Sequence, residues 1–238
     1  MLRKTSLPDL ANFGFRSLLA RNLVNSLVVN SVIHPPSEAQ FKAAIAAYRV
    51  RETRGPVYFH ALRHIAEGWG NAVEMATGIG LLLKSWHNAF YRFGPYDATR
   101  LAACLEENMT MLGTLHERTI DSYATDDEPH VRRLFSAFTA ALRGGKKGEQ
   151  ESTVATAKAM HLLAPGFLPL WDNPIAGAYD QFPMLAHNYL SFCWQMKELA
   201  SAVQGYVANP DDCTILKRVD EFNYAVYTQQ WVNLSPGS

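Results

Sequence analysis

Apolar residues recur along almost the whole chain at the three- and four-residue spacing that is typical of α-helices. Glycine and proline separate the periodic segments, and the alternation expected of strands is scarce. Ser37 and Asp97 precede two of these segments and are candidate N-caps. The predicted helices cover residues 37–52, 57–69, 71–92, 97–124, 126–143, 148–164, 182–207 and 213–231. The pattern predicts an all-α, compact multi-helix domain with about 8–10 helices and short loops.

The chain has 238 residues, which suits one domain or two lobes that share a core. In the two-lobe arrangement we expect lobes of about residues 1–125 and 126–238, with a cleft between them. Hydrophobic residues make up 48% of the chain and charged residues 18%, which indicates a folded globular protein and excludes a disordered one.

Basic and acidic residues balance, with 22 of each, so the formal net charge is zero. The chain as a whole is therefore not attracted to nucleic acid or to anionic membranes, and a site for a polyanion has to be a local patch. Its three cysteines form no CxxC pair, which argues against a disulfide framework or a zinc site and predicts buried, reduced thiols.

The first residues, MLRKTSLPDLANFGF, lack the apolar segment and small-residue cleavage site of a signal peptide. The longest apolar run, GIGLLL, is far shorter than the roughly 20 residues that span a bilayer. We therefore expect a soluble, cytoplasmic monomer without a membrane partner.

A lysine and an aspartate stand near the two ends of the apolar segment 155–173, ATAKAMHLLAPGFLPLWDN. Lys158 lies on a predicted helix between Val154 and Leu162, and the helix ends at Pro165-Gly166. The five residues that follow can span about 16 Å, whereas the helix rises only about 9 Å from Lys158 to its end. Asp172 can therefore return to the level of Lys158, and the two side chains can face one cavity.

Each of the two residues also has an ordinary structural interpretation. The stem of Lys158 can be covered by its apolar neighbours while the ammonium reaches water. Asp172 precedes Asn173-Pro174 and can be the N-cap of the next helix. A cap and a catalytic carboxylate are compatible roles for one aspartate.

The stretch TAKAMHLLAPGFLPLWDNPI resembles a shortened version of the core of the helix-hairpin-helix DNA glycosylases, and the resemblance covers residues 143–178. In that family a glycine-rich hairpin precedes a helix with a lysine, and an aspartate opens the next helix. The stretch is also similar to a looser group of bacterial proteins with a lysine, an LHxLxP-like run and a WD. Here GGKKGEQEST replaces the hairpin, the lysine-to-aspartate spacing is only 14 residues (158 to 172), and no iron–sulphur cysteine set follows.

The resemblance implies that this chain cleaves the N-glycosidic bond of a modified base in double-stranded DNA. Asp172 would stabilise the cationic sugar or activate the nucleophile, and Lys158 would attack the sugar as a Schiff-base nucleophile or be the salt partner of Asp172. No cofactor is expected. Bulky hypermodified bases of phage DNA are one class of substrate, with a role in antiviral defence.

A flipped base needs aromatic and hydrogen-bonding partners, and two stretches offer them. The segment KSWHNAFYRFG and the region around Asp172 supply the candidates for a base pocket, and the alternative is that these side chains form the core. The candidate pocket residues are Trp86, His87, Asn88, Tyr91, Trp171 and His161.

Contacts to the DNA backbone need a local basic patch, and the turn RGGKKG directly precedes the helix of Lys158. The alternative is a solvated turn. The candidate backbone contacts are Arg143, Lys146, Lys147, Gly145, Gly148 and Arg92.

Three other interpretations of the sequence stay open. The neutral charge and the missing hairpin are compatible with a non-catalytic nucleic-acid-binding protein or a defence-associated interaction protein. Arg54 and His60 have the Arg-x5-His spacing of a helical ribonuclease superfamily, although Gly55-Pro56 interrupts it. His60, His64 and Glu67 could share a helix face as metal ligands, but satisfied surface or core histidines are the expected outcome without a stronger motif.

Overall fold

The computed structural model describes residues 35–92, 95–144, 150–207 and 213–234. These ranges contain ten α-helices and no β-strand, so the prediction of an all-α fold is confirmed. A π-helical turn, Tyr224–Thr228, continues the last of them. The α-helices are α1 (Glu38–Arg51), α2 (Gly55–Glu67), α3 (Ala72–Trp86), α4 (Asn88–Tyr91), α5 (Ala98–His116), α6 (Glu128–Ala141), α7 (Thr153–Leu163), α8 (Asn173–Ala178), α9 (Ala186–Val203) and α10 (Ile215–Asn223).

Both predicted N-caps are confirmed. Ser37 forms a capping box at α1, because its Oγ accepts from Gln40 N over 3.3 Å while Gln40 Oε1 accepts from Ser37 N over 2.9 Å. Asp97 caps α5 by accepting from Arg100 N over 2.9 Å. These polar side chains satisfy backbone donors that have no partner within their own helix.

Helix α7 lies at the centre of the core and packs against α2, α3 and α6. Its alanines at positions 155, 157 and 159 are fully buried, and so are Met160, Leu162 and Leu163. Small side chains let the neighbouring helices approach closely, which explains why a buried helix is rich in alanine. The helix that carries Lys158 is therefore held rigidly on several sides.

The third predicted helix, residues 71–92, is broken at one position. Helix α3 ends at Trp86, α4 begins at Asn88, and His87 between them has φ −134° and ψ 31°. His87 Nε2 is hydrogen-bonded to Ser152 Oγ over 2.8 Å, so a side chain from the start of α7 fixes the break. Helical periodicity did not reveal it, because the partner is 65 residues away.

The three cysteines, Cys104, Cys193 and Cys213, are free and buried, as expected. Residues Pro35–Ser238 form one compact unit, and the division into two lobes near residue 125 stays a prediction. Within the described part of the chain, no helix combines the length and apolarity needed to cross a membrane.

Candidate functional site

A cavity of about 280 Å³ opens where the ends of α1 and α3 meet the start of α2, α7, the start of α8, α10 and the π-helical turn. Lys158 and Asp172 both line it, an arrangement that the length of the return segment permits. The other polar or aromatic side chains in its wall are Tyr48, Glu52, Arg54, Trp86, His87, Trp171, Asn173, Asp220, Tyr224 and Thr228.

Lys158 extends from α7 toward the end of α3. Its Nζ donates to the carbonyl oxygen of Trp86 over 2.9 Å and lies 5.9 Å from the centre of the Trp86 ring. Burial lowers the pKa of Lys158 from 10.5 to about 8, and the negative charge of Asp172 only partly opposes this shift. A substantial fraction of the amine is therefore neutral just above neutral pH, which a nucleophile requires.

The break at His87 makes the Trp86 carbonyl available to Lys158. In a continuous helix this oxygen would accept from Phe90 N, but Phe90 N donates instead to His87 O over 3.1 Å. His87 itself has its pKa lowered to about 4 by burial, with a smaller contribution from the charge of Lys158. It is therefore a neutral imidazole in the cavity wall over the physiological range.

Asp172 is the N-cap of α8, and this ordinary structural role holds its carboxylate at the cavity. Oδ1 accepts from Ile175 N over 3.0 Å, and Oδ2 accepts from Thr228 Oγ1 over 2.8 Å. Burial raises the pKa of Asp172 above 3.8, although both hydrogen bonds favour the charged form. No ion pair joins Lys158 and Asp172 in the described structure, so their side chains face the cavity separately.

The turn after α7 explains why the chain returns at this point. A Cβ atom at Gly166 would lie only 2.8 Å from the carbonyl oxygen of Arg118, so no larger residue fits without displacing that backbone. The Gly166 carbonyl accepts from Ile120 N over 2.8 Å. Phe167, Leu168 and Leu170 are then buried as the chain runs back to Asp172. The apolar return segment is thus part of the core.

Of the predicted base-pocket residues, Trp86 and His87 line the cavity, and their contact with a base stays a prediction. Trp171 also contributes to the wall, but its indole is 1% exposed and packs edge-to-face on Phe135, with Nε1 donating to Thr153 O over 3.2 Å. Its ring therefore belongs mainly to the core and offers little surface for stacking.

His161, Asn88 and Tyr91 do not line the cavity, contrary to prediction. His161 is fully buried between Tyr58 Oη, at 2.8 Å, and the Leu168 carbonyl oxygen, at 2.7 Å. Burial lowers its pKa to about 4, which makes it a neutral core histidine. Tyr91 Oη donates to a carbonyl oxygen of residue 142 over 3.1 Å, and Asn88 is exposed at the start of α4.

The predicted DNA-backbone patch lies largely outside the described residues, which exclude Gly145, Lys146, Lys147 and Gly148. Arg143 is ion-paired with Glu151 over 3.0 Å on the surface. Backbone hydrogen bonds of 2.9 Å in both directions between residues 144 and 150 close the loop at its base. Arg92 is exposed just after α4. Contact of these residues with DNA stays a prediction.

His60, His64 and Glu67 border a separate surface groove on α2 and α3, where His64 Nε2 lies 3.0 Å from Glu74 Oε2. The described residues contain no group of three or more side chains arranged to hold a metal ion. Arg54 lines the cavity of Lys158 whereas His60 lines this groove, so the two residues of the Arg-x5-His spacing do not converge on one site.

Several cavity residues were not predicted to lie beside Lys158 and Asp172. Glu52 and Arg54 flank the short link between α1 and α2, and they form an ion pair of 2.6 Å at the cavity wall. Asp220 reaches the cavity from α10, where the buried Lys217 ammonium holds it over 2.7 Å. The run KRVDE places charges of opposite sign three and four residues apart, but the sequence does not indicate that they are buried or that Asp220 reaches the cavity of Lys158.

Scans against protein-family models and searches of the curated proteins and the solved structures found no match to this chain.

Proposed function

We propose that the protein is a DNA glycosylase that removes a modified base by cleaving its N-glycosidic bond. The observation that carries the proposal is the pair of Lys158 and Asp172, which line one cavity without an ion pair between them. The lowered pKa of Lys158 supports a nucleophilic amine, and the capped carboxylate supports a fixed negative charge. Both features match what the resemblance implies for these two positions.

In this mechanism the target nucleotide is flipped out of the duplex and its base enters the cavity. The neutral amine of Lys158 attacks C1′ of the deoxyribose, and the electron pair of the glycosidic bond leaves with the base, which takes up a proton. Asp172 stabilises the positive charge that develops on the sugar. The bound amine then loses a proton, its electron pair forms the C1′=N bond of a Schiff base, and the C1′–O4′ bond breaks as O4′ takes up a proton.

The size of the cavity supports a base as the ligand. Its volume of about 280 Å³ lies near the lower end of the range found for small-molecule sites. Trp86 supplies aromatic surface in its wall. These features favour a base of ordinary size, because a hypermodified base would not be enclosed as a whole. A bulky substituent on the base would have to project from the mouth of the cavity.

Incubation with duplex DNA that carries a panel of modified bases tests the proposal, with phage DNA containing hypermodified pyrimidines in the panel. We expect alkali-labile strand breaks with the wild-type chain and none with Asp172→Asn. Borohydride should trap a covalent adduct that is lost in Lys158→Ala. Absence of base release from every DNA, together with retained DNA binding, would instead support the non-catalytic nucleic-acid-binding alternative.

A further inference from the structure

Arg54 borders the cavity with a guanidinium group that is fixed along one edge. Nε and Nη2 donate to the two carboxylate oxygens of Glu52, over 2.8 and 2.6 Å, and Nη2 also donates to Tyr224 Oη over 2.7 Å. Trp86 Nε1 donates to the Arg54 carbonyl oxygen over 3.2 Å, so the backbone is held as well. Nη1 has no hydrogen bond to any residue in the described ranges.

This arrangement has the properties of a preorganised hydrogen-bond donor. An exposed arginine loses side-chain conformational entropy when a ligand fixes it, and that loss weakens binding. Here Glu52 and Tyr224 already hold the group in one orientation, although 43% of the Arg54 side chain is exposed. Donation from Nη1 to a ligand would therefore require little further ordering.

We propose that Arg54 is a recognition residue, whose Nη1 donates to an exocyclic oxygen of a heterocyclic base in the cavity. The identification of the ligand as a base rests on the proposed function. Trp86 lines the same cavity and donates to the Arg54 carbonyl oxygen, so an aromatic side chain and the held arginine border one ligand site. The substrate class is accordingly an oxo-purine or an oxo-pyrimidine.

The charges around the cavity favour a neutral oxygen over a phosphate. Glu52, Asp172 and Asp220 line it, against the cations Arg54 and Lys158 and the Lys217 ammonium that pairs with Asp220. The charge of Arg54 is already balanced by Glu52, whose side chain is only 6% exposed. A phosphate would find no unbalanced cation at Arg54 and would be repelled by Asp172, whereas a carbonyl oxygen accepts a hydrogen bond without carrying a net charge.

Calorimetric titration of the full chain with hypoxanthine and with purine tests the inference, because purine lacks the exocyclic oxygen. We expect the wild-type chain to bind hypoxanthine about tenfold more tightly than purine, because one good hydrogen bond contributes about that much to affinity. The double variant Glu52→Gln/Arg54→Met should bind both compounds equally, and it avoids leaving Glu52 buried without a counter-charge. Arg63→Met is the matched control, since this exposed arginine of α2 borders the separate groove.

A second variant covers the case in which the double variant does not fold. Arg54→Lys keeps the positive charge but removes the planar donor group, so it should also lose the preference. Equal affinities in the wild-type chain, a preference that survives either variant, or competition by inorganic phosphate would each overturn the inference. Base release from DNA is assayed in parallel. If the chain prefers hypoxanthine over purine but releases no base from DNA, only the glycosylase proposal is overturned. If it releases a base but shows no preference for hypoxanthine, only the role of Arg54 is overturned.

Discussion

Thr228 Oγ1 donates a hydrogen bond to Asp172 Oδ2 over 2.8 Å, although 56 residues separate the two along the chain. Thr228 ends the π-helical turn Tyr224–Thr228. Turns of this kind are rare in proteins, and those that occur are often found at functional sites. Tyr224, four residues earlier, lines the same cavity. Because Ile175 N binds the other carboxylate oxygen, two separate segments fix the direction of the Asp172 side chain.

Replacing Thr228 should move the pH dependence of base release. Its hydroxyl group stabilises the charged form of Asp172, so Thr228→Val should raise the pKa of that carboxyl further. The break that Asp172 contributes to the acidic limb of the pH–rate profile, besides the one from Lys158, should then move to higher pH. Thr228→Ser keeps the hydroxyl and should keep the wild-type profile. ¹³C NMR titration of the Asp172 carboxyl reports the same shift independently of activity. Identical titrations of the valine and serine variants would contradict this role.

Asp172→Asn should abolish base release and leave the fold intact. Loss of the negative charge removes the stabilisation of the cationic sugar, and we expect the single-turnover rate to fall at least about 100-fold. Asparagine is as good an N-cap as aspartate, so α8 should still begin at residue 173. The variant should also melt at a temperature equal to or above that of the wild-type chain at pH 7.

The sign of that stability change follows from the raised pKa of Asp172. The folded chain binds this proton more tightly than the unfolded chain, so stability decreases as pH rises from the unfolded pKa through the folded one, and the loss persists at neutral pH. Asparagine carries no charge, so Asp172→Asn avoids this loss of stability. Asp97→Asn, at the exposed N-cap of α5, is the control and should leave base release unchanged. A clear drop in melting temperature for Asp172→Asn alone would count against this account.

The helices and the return of Asp172 could be predicted because both depend on local chain geometry. Periodicity located α7, the Pro165-Gly166 turn ended it, and the length of the next segment limited where Asp172 could lie. Thr228, Arg54 and Asp220 could not be placed in this way, because segments distant in sequence bring them to the cavity.

His161 shows the opposite limit of sequence analysis. It lies three residues from Lys158 on the same helix, which made it a plausible pocket residue. Its burial depends on Tyr58 of α2, a partner that is 103 residues away. Periodicity indicates which faces of a helix are apolar, but it does not tell a histidine in the core from one at a cavity.

The yield of borohydride-trapped adduct should depend on the protonation of Lys158. Because the pKa of this amine is about 8, the initial trapping rate should increase with pH and level off above that value. Lys158→Met should give no adduct. Lys84→Met removes an exposed lysine of the neighbouring helix α3 outside this cavity and should behave like the wild-type chain. Undiminished trapping in Lys158→Met would show that another amine is the nucleophile.

Lys158 should also make the free energy of unfolding depend on pH in the alkaline range. Its pKa is about 8 in the folded chain and 10.5 in the reference state, so the unfolded chain binds more protons between these values. Stability should therefore rise with pH across this window, relative to Lys158→Met measured under the same conditions. Urea denaturation at pH 7.5, 9 and 10.5 gives the comparison. Parallel stability curves for the two proteins would be inconsistent with a partly buried, destabilised ammonium.

Lys217 should contribute to stability through its carboxylate partners. Its side chain is 1% exposed, Nζ lies 2.7 Å from Asp220 Oδ2, and it lies 4.5 Å from the centre of the Tyr48 ring. Burial opposes the charge, but Asp220 and its neighbours outweigh burial and raise the pKa of Lys217. Lys217→Met would leave Asp220 charged and buried without this partner, and we expect a loss of about 3–5 kcal/mol in the free energy of unfolding.

The double variant Lys217→Met/Asp220→Asn tests whether that loss comes from the unpaired carboxylate. It removes both charges, and Glu221 keeps Arg218 as a partner at 2.8 Å, so most of the lost stability should return. Lys42→Met is the surface control, because its ion pair with Glu38 is more than half exposed and should contribute less than about 1 kcal/mol. Urea denaturation of the wild-type chain, Lys217→Met, Asp220→Asn and the double variant measures the coupling. If the double variant is as unstable as Lys217→Met, the loss comes from the packing of the lysine stem against the surrounding aromatic rings, and the ion pair is not its cause.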